Sequence, residues 1–458
     1  MARRAGAWLE GLPGRRRPPV GGRLYRSLGS AVPAGDRPPP PCRLSGHGHG
    51  ACLRAMHVPR RARPMSTLLF VHNAYRLRAG EDAVAEATCA ILAERGHRVV
   101  RYGVSSAEVL RLPLHRRAAA ALQVPFSVTT YRALGRLAGR ERPALALVQN
   151  VFPFLSPSVY YALAHRGVPV VQTVFNYRFV CPAGTLYMGG RTCERCVRSW
   201  TVPCVLHRCY RGSRAWSALY AAVVGFHRRA GTFARIPSLF VLAAEALRGP
   251  LVRGGLPGDR MVRIPNAFDA RRYEPGTGSG RYLLYVGRLD PEKGVRTLVR
   301  AMAGVPGARL KVVGRGTEET VLRRMAAEGA GRVEFLGPVY GDAVATLLRD
   351  ALAVVVPSEW PEVSPMIVLQ AQAHARPVIA TRAGGLPEMV ADGTDGLLVA
   401  PGDADALAGA IRALSSDPAR ADVLGRAGRA RVETDLSAAR TYARLRDAVS
   451  RFVRPDIL

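Results

Sequence analysis

The sequence predicts an α/β protein with two Rossmann-like, doubly wound domains that face each other across a cleft. Three observations predict this class. A chain of 458 residues exceeds what one hydrophobic core usually holds. Short apolar strands alternate with helical segments through both halves, as in parallel α/β sheets. The alternation restarts near residue 281, after a stretch rich in Pro and Gly, so the halves are of similar size.

Residues 1–64 are expected to be a disordered extension. They contain 13 Arg and two acidic residues among many Pro and Gly, and they lack the apolar core of a signal peptide. Met65 is followed at once by a predicted strand, so residues 1–64 are either a disordered arm or lie upstream of the true start. The extension carries +11 of the net charge of +32, which leaves +21 for the other residues.

The first predicted domain, residues 65–265, is a Rossmann-like domain. Gly80 precedes a helix predicted over Glu81–Arg95, and its small size would let a phosphate approach the backbone. IPNAFD and the Pro- and Gly-rich stretch after it predict a linker over 266–280. The strands predicted for this domain are Thr67–Val71, Arg98–Tyr102, Ala144–Gln149, Pro169–Val174, Ser238–Leu242 and Met261–Ile264.

The second predicted domain, residues 281–435, carries the most informative stretch, Pro357–Glu388. A buried strand, Ala351–Val356, enters a polar loop, and a helix is predicted from about Ser364 to Ala375. Open α/β sheets bind ligands at this kind of strand end, beside a helix N-terminus. Residues 436–458 predict a C-terminal helix that packs back on the first domain. The strands predicted for the second domain are Tyr282–Val286, Leu310–Val313, Val333–Phe335, Leu352–Val356, Pro377–Ala380 and Leu397–Val399.

The positive charge predicts acidic partners, unless it only reflects an Arg-rich composition. Residues 108–142 combine Arg and Leu, which indicates either solvated amphipathic helices or a surface that contacts anionic lipid headgroups. No apolar run reaches the ~20 residues that span a bilayer. We therefore expect a cytoplasmic protein, soluble or peripheral at the inner face of the membrane. Nucleic acid is not an expected partner, because no base-reading module is recognisable.

Five cysteines occur within residues 181–209. Cys193 and Cys196 form a CxxC pair that Cys181 and Cys209 flank, and four thiolates would suit a structural zinc ion. His207 is a substitute ligand. The alternative is that these are buried free thiols, and both interpretations stay open at this stage.

The chemistry expected of the second domain rests on three side chains. Arg288 and Lys293 follow a strand in the loop GRLDPEKG, and such cations suit a diphosphate. They would neutralise a leaving nucleoside diphosphate as its charge develops. Glu362 lies between a strand and a helix start, where a carboxylate can accept hydrogen bonds from sugar hydroxyls. The amides of the helix start would hold phosphate oxygens; its residues are Val363, Ser364, Pro365 and Met366.

These stretches together resemble the family 4 retaining glycosyltransferases, which have the GT-B fold. The resemblance rests on GRLDPEKG, PSEWPE, ARPVIATRAGGLPEMV and DGLLVAPGDADALAGAI in the second half. The first half adds HNAYRLRAGED, QNVFPFLSPS, TVFNYRFVCP, the CxxC region and IPNAFD, which are similar to a bacterial polysaccharide-type branch. The likeness extends from Met65 to about Leu436.

The resemblance implies a donor site in the second domain and an acceptor-side role for the first, residues 65–265. Arg288 and Lys293 match the cation pair for the donor diphosphate, Glu362 matches the first Glu of an E-x7-E motif that contacts the donor sugar, and Gly80 matches the glycine loop near the phosphates. The second Glu of the motif, which usually contacts the ribose, is Gln370 here. Phe175 replaces a frequent His and keeps only its backbone carbonyl for the transferred sugar.

The implied reaction moves a hexose-type sugar from a nucleoside-diphosphate sugar to a hydroxyl of a glycan or lipid-linked acceptor. It proceeds with retention of anomeric configuration, in polysaccharide or glycolipid biosynthesis, and no metal or other cofactor is expected to be required for catalysis. Two alternatives remain at this stage. One is a sugar-nucleotide epimerase, and the other is a donor-binding protein weakened by Gln370 and Phe175.

Overall fold

The computed structural model describes residues 54–55, 66–75, 80–266, 268–276, 280–329 and 332–458. The chain divides into residues 1–46, which lie outside the described part, and residues 47–458, which the rest of this section concerns. Nearly all of the extension expected to be disordered also lies outside the described residues. Its Arg54–Ala55 segment forms a short edge strand that the sequence did not predict.

Two parallel sheets organise residues 47–458. A seven-stranded sheet has the order β1-β3-β2-β4-β5-β8-β9, with β1 antiparallel, and a six-stranded sheet has the order β12-β11-β10-β13-β14-β15. A short antiparallel hairpin pairs β6 with β7. The strands are β1 (Arg54–Ala55), β2 (Thr67–Ala74), β3 (Arg98–Ser105), β4 (Leu145–Asn150), β5 (Val170–Val174), β6 (Tyr187–Met188), β7 (Arg191–Thr192), β8 (Leu239–Leu242), β9 (Met261–Arg263), β10 (Tyr282–Val286), β11 (Arg309–Val313), β12 (Arg332–Gly337), β13 (Ala351–Val356), β14 (Val378–Thr381) and β15 (Gly396–Val399).

Helices connect the strands and cover the sheets. The N-terminal domain has α1 (Gly80–Glu94), α2 (Ser106–Arg111), α3 (Leu114–Leu122), α4 (Val128–Glu141), α5 (Ser158–Ala164), α6 (Arg195–Arg198), α7 (Val202–Leu206), α8 (Arg214–Arg229), α9 (Thr232–Arg235) and α10 (Arg248–Arg253). The C-terminal domain has α11 (Val295–Ala303), α12 (Glu319–Glu328), α13 (Asp342–Arg349), α14 (Met366–Ala373), α15 (Leu386–Met389), α16 (Ala404–Ser416) and α17 (Pro418–Asp435), and α18 (Ala438–Phe452) follows. Short 3₁₀ turns occur at Glu245–Leu247, Gly258–Arg260, Ala270–Arg272 and Pro291–Lys293.

The strands are apolar on both faces because helices cover both sides of each sheet. All six residues of β4 are buried, as are five of the six in β13. Each sheet therefore has two cores, one per face. This continuous burial explains why these strands read as unbroken apolar runs in the sequence.

The last helix, α18, packs on the N-terminal sheet. Its Tyr442 and Val449 join the core that contains Leu68 and Phe70 of β2. The Tyr442 hydroxyl lies 2.8 Å from Nε2 of His97, and Ser66 Oγ donates to the carbonyl of Ile457 at 2.7 Å. The chain thus returns to its first domain after completing the second.

The segment expected to link the domains is well packed where it is described. Phe268 and Ala270 are buried against Leu369 and Ala373 of α14. Within the described part of the chain, no helix combines the length and apolar character needed to cross a bilayer.

Candidate donor site between two domains

The carboxyl ends of β10, β13 and β14 meet at one edge of the C-terminal sheet, because the three strands are parallel neighbours. The loop after β10 carries Arg288 and Lys293, and the loop after β13 carries Glu362. Backbone bonds join the two loops, since the amides of Glu359 and Trp360 donate to the carbonyl of Glu292 at 3.0 and 3.3 Å. The structure therefore brings the sequence-predicted cations and carboxylate into one site.

Glu362 and Lys293 form the centre of this site. The Lys293 ammonium donates to Oε1 of Glu362 at 2.5 Å, and Ser358 Oγ donates to the same oxygen at 2.8 Å. The Glu362 residue is only 4% exposed. Burial opposes its ionisation, but the charge of Lys293 and these hydrogen bonds outweigh burial and hold the pKa of Glu362 below its usual value. The carboxylate is therefore ionised at neutral pH.

Glycines allow the loops to approach this closely. At Gly294, φ is +66° and a Cβ would lie 1.9 Å from the carbonyl oxygen of Pro357. At Gly384, φ is +58° and a Cβ would lie 2.1 Å from the carbonyl oxygen of Glu362. Both positions require a residue that tolerates positive φ and has no side chain.

Arg288 lies in the same loop but has different partners. Its guanidinium pairs with the carboxylates of Asp290 and Glu292, the latter at 2.5 Å. More than half of its side chain is exposed, whereas Lys293 is mostly covered. An incoming diphosphate would thus meet Lys293 already bound to Glu362 and would compete with Asp290 and Glu292 for Arg288.

Helix α14 begins at Met366, two residues later than predicted, so Val363, Ser364 and Pro365 precede it. Pro365 occupies the cap position and provides no side-chain hydrogen bond to the helix. The first amides of α14 therefore lack a side-chain cap, as a phosphate-binding helix start requires. Val363 is buried among N-terminal-domain residues, while Gln370 lies partly exposed one turn into the helix.

The N-terminal domain faces this helix start. A Cβ built on Gly80 would lie 3.0 Å from Cγ of Met366, so the beginning of α1 and the beginning of α14 are neighbours. Trp360 and Val363 join the core of the N-terminal domain, and Phe175 packs against that core. Asn266 Nδ2 donates to Oγ of Ser364 at 3.0 Å.

The N-terminal domain contributes polar groups to the cleft that sequence reasoning did not single out. Glu81 accepts hydrogen bonds from the Tyr75 hydroxyl at 2.9 Å and from Asn176 Nδ2 at 3.3 Å. Burial raises the pKa of Glu81. Arg178 lies over the rings of Tyr210 and Tyr220, 5.6 and 5.2 Å from their centroids. The motifs HNAYRLRAGED and TVFNYR contain most of these residues, but periodicity gives no signal for side chains that meet only across the fold.

Two further contacts join the domains. The Tyr187 hydroxyl, in the β6–β7 hairpin, donates to Oε2 of Glu359 at 3.0 Å. Glu388 accepts from the amides of Glu245 and Ala246, each at 2.9 Å, and pairs with Arg263 at 2.7 Å. These contacts hold the loop after β13 and helix α15 against the N-terminal domain.

The cysteine region does not support the predicted zinc site. Cys181, Cys193, Cys196, Cys204, Cys209 and His207 line one small cavity of about 20 Å³. Nevertheless, the described residues contain no group of three or more His, Cys, Asp or Glu side chains that could hold a metal ion. Burial raises the pKa of the Cys196 thiol to about 12, and the five cysteines of this region are free in the structure.

A larger cavity lies at the amino ends of the strands of the C-terminal sheet. It measures about 460 Å³ and is lined by the starts of β10, β11 and β12, including Tyr282, Arg309 and Arg332. Because it lies at the amino ends of the strands, it is separate from the candidate site at the carboxyl ends.

Comparison with solved structures identifies the fold class. Anabaena HepE in complex with UDP-glucose aligns with a TM-score of 0.60 at 16% identity, covering 84% of this chain and all of that one. Sucrose-phosphate synthase from Thermosynechococcus elongatus aligns with a TM-score of 0.61 at 19% identity, covering 84% of this chain and 98% of that one. The protein has the GT-B fold, with two Rossmann-like domains, as the sequence predicted.

Sequence comparison finds similar proteins for the second domain. Residues 280–417 match the profile described as "Glycosyl transferases group 1". Glycogen synthase of Mycobacterium tuberculosis is 36% identical over 184 residues, which are 38% of this chain and 44% of that protein. A second relative is a GDP-mannose-dependent monoacylated alpha-(1-6)-phosphatidylinositol monomannoside mannosyltransferase of Corynebacterium glutamicum. It is 34% identical over 198 residues, which are 38% of this chain and 52% of that protein.

The chain thus spans about half the length of these curated relatives. Residues 280–417 are similar to the group 1 glycosyltransferases, and the predicted resemblance to family 4 is confirmed.

Proposed function

We propose that the protein is a retaining glycosyltransferase that moves a hexose-type sugar from a nucleoside-diphosphate sugar to an acceptor hydroxyl. The observation that carries this proposal is the ionised Glu362–Lys293 pair at the carboxyl ends of β10 and β13, beside the uncapped start of α14. One carboxylate, two cations and free amides are complementary to a sugar hydroxyl and a diphosphate.

Each group has a proposed role toward the donor. Lys293 and Arg288 neutralise the diphosphate, and the first amides of α14 bind its oxygens. Glu362 accepts hydrogen bonds from hydroxyls of the transferred sugar, for which its ionised state is suited. Gln370 hydrogen-bonds the ribose, and the Phe175 carbonyl and the Gly80 backbone contact the sugar and phosphates from the opposite domain.

The proposed step exchanges one bond to the anomeric carbon for another. The bond from that carbon to the phosphate oxygen breaks as the acceptor oxygen bonds the same face, and the acceptor proton passes to the departing phosphate. Nucleoside diphosphate and a glycoside are the products. Cations placed where the phosphate gains charge lower the barrier, and a closed cleft excludes water from the donor.

The acceptor is a glycan or a lipid-linked glycan, in polysaccharide or glycolipid biosynthesis. Support comes from the relative in Corynebacterium glutamicum, whose name describes transfer to a phosphatidylinositol mannoside. The proposed location is the cytoplasm, with peripheral contact to an anionic membrane. Catalysis proceeds without a metal in this proposal, because Lys293 and Arg288 supply the positive charge.

Turnover of a panel of UDP-, GDP- and ADP-sugars tests the proposal. Release of nucleoside diphosphate with sugar on an acceptor, or on water, is expected from the wild type. Glu362→Ala and Lys293→Ala should abolish release, while Lys311→Ala, a change at the other lysine of the chain, should not. Retention is checked by the anomeric configuration of the product in its NMR spectrum.

Other outcomes would contradict the proposal. An isomerised donor without diphosphate release would establish an epimerase. Binding without turnover, in the presence of an acceptor accepted by a related enzyme, would establish a donor-binding protein. Near-normal activity of both site variants would remove the assigned site.

A further inference from the structure

The N-terminal domain exposes large apolar side chains in a segment around α3. None of the nine residues of α3 is buried. Leu114 is 77% exposed and Leu122 is 83% exposed, and Phe126 in the following loop is also exposed. The partly buried residues of α3 are the small Ala119, Ala120 and Ala121, whereas its two large apolar ends, Leu114 and Leu122, project into solvent without a packing role that the described structure reveals.

A second exposed apolar segment adjoins the first. Trp200 is 66% exposed and Phe226, near the end of α8, is 65% exposed. Next to Phe226, His227 lies with Nε2 3.1 Å from the carbonyl oxygen of Pro125. The Phe126 ring is 5.7 Å from the Tyr161 ring, which is 6.0 Å from the His227 ring. The two segments therefore meet on one side of the domain.

Arginines are interleaved with these apolar side chains. Arg116 and Arg117 of α3 are exposed and have no ion-pair partner among the described residues. Arg229 is exposed and lies 3.8 Å above the centroid of the Trp200 ring. We call this region the apolar-basic surface; its members are Leu114, Arg116, Arg117, Leu122, Phe126, Trp200, Phe226 and Arg229.

The charge around the apolar-basic surface is predominantly positive. Residues 109–140 contain six Arg and no Asp or Glu, and residues 195–244 contain eight Arg and no Asp or Glu. Glu141 and Glu194 border these segments and pair with Arg140 and Arg198, but the arginines of the two segments far outnumber the acidic residues beside them. This excess of Arg on both segments that form one surface favours an extended anionic partner.

We propose that the apolar-basic surface docks on an anionic lipid bilayer. Leu, Phe and Trp side chains flanked by Arg suit the boundary between headgroups and acyl chains, where the guanidinium groups meet lipid phosphates. A nucleic acid would use the arginines but would leave Leu114 and Leu122 in water. This surface lies outside the donor site and does not depend on the chemistry proposed there.

Sedimentation of the full chain with vesicles tests the proposal. Binding is expected to vesicles of phosphatidylcholine with a quarter phosphatidylglycerol, but much less to phosphatidylcholine alone, and it should weaken at 0.5 M salt. Leu114→Gln/Leu122→Gln should reduce the apparent affinity about tenfold or more, because two apolar contacts are lost. Arg116→Gln/Arg117→Gln should reduce it by at least about tenfold, at about 1 kcal/mol per Arg.

The matched control is Val423→Gln/Arg426→Gln on α17, where an exposed Val and an exposed Arg lie in the other domain. It should bind like the wild type. Equal binding of all three variants would overturn the proposal, and so would failure of the wild type to bind vesicles. If the protein bound DNA more strongly than vesicles, and Leu114→Gln/Leu122→Gln did not affect that binding, the partner of this surface would be a nucleic acid and not a bilayer. Unchanged donor hydrolysis by the variants separates this result from the proposed function.

Discussion

Replacing Lys293 by Met should destabilise the protein in a manner that depends on pH. Met keeps most of the apolar stem but removes the only cation bonded to the carboxylate of Glu362 among the described residues. The carboxylate, 4% exposed, would remain buried beside Ser358. Removing one partner of a buried ion pair typically costs about 3–5 kcal/mol.

Proton uptake limits this cost. Protonating a carboxyl group with an ordinary pKa of about 4.3 costs about 3.7 kcal/mol at pH 7, at about 1.4 kcal/mol per pH unit. Because the folded variant can take up this proton at Glu362, its electrostatic loss of stability does not exceed that value. At pH 5 the same limit is about 1 kcal/mol. For a domain of this size, Tm should fall by roughly 7–14 °C at pH 7 and by about 2–4 °C at pH 5.

The direction in which stability changes with pH follows from the folded-state pKa of Glu362. In the wild type it lies below its unfolded value, so the pair stabilises the fold above the unfolded pKa and this stability is lost as pH falls through the folded pKa. In Lys293→Met, the folded pKa rises above the unfolded value. The folded variant then binds the proton more tightly, and its destabilisation grows as pH rises from about 4.

Thermal unfolding followed by circular dichroism between pH 4.5 and 8 measures this effect. The double variant Lys293→Met/Glu362→Gln should recover most of the loss at pH 7, because no charge remains buried. Lys311→Met is the control, since Lys311 lies over the Tyr282 ring and has no carboxylate partner among the described residues. A loss of Tm that is independent of pH, or a double variant as unstable as Lys293→Met at every pH, would refute the reasoning.

Three further predictions concern single residues. Gly294→Ala should cost about 2 kcal/mol or more beyond Gly393→Ala in urea unfolding, because both have positive φ but only Gly294 meets a carbonyl, and equal losses would contradict this. Gln370→Glu should tighten binding of a nucleotide sugar about fivefold by calorimetry, since hydrogen bonds to a charged group are about 1 kcal/mol stronger; a donor lacking the ribose 2′ and 3′ hydroxyls should gain nothing. Glu81→Gln should raise Tm more at pH 8 than at pH 5, because burial raises the pKa of Glu81 and ionising it costs stability as pH rises; an equal shift at both pH values would argue against this.

The sequence predicted the strands well because both sheets are covered on both faces. β10 and α11 have the predicted bounds, and most other strands differ by one to three residues at their ends. Errors concentrate where polar residues extend a strand, as in β2, which continues through His72 and Asn73 to Ala74. Asn73 is buried there because Nδ2 bonds to the Ser106 hydroxyl, a contact no local pattern reveals.

The residues of the candidate site also fall into those that the sequence predicted and those that it did not. The family resemblance assigned Lys293 and Glu362 to one site, and the structure brings their loops together because they follow the adjacent parallel strands β10 and β13. Asn266, Tyr187 and Glu81 reach the cleft through contacts between distant segments, so nothing local identified them. The cysteine spacing predicted a zinc site, yet spacing does not fix thiol geometry, and the described structure places the six side chains around a cavity without a metal-binding arrangement.

The central claim is that a nucleoside diphosphate binds at the Arg288–Lys293 loop, with its sugar toward Glu362. Titration calorimetry of UDP, GDP and ADP, and of their sugar conjugates, into the wild type and Arg288→Gln measures this directly. At least one diphosphate should bind the wild type, and Arg288→Gln should weaken it about tenfold, since a charged hydrogen bond is worth about 1.5–3 kcal/mol. Arg309→Gln, a change at an exposed arginine at the amino end of β11, should leave the affinity unchanged. Absence of binding by every diphosphate, or equal affinity in the wild type and Arg288→Gln, would contradict the account.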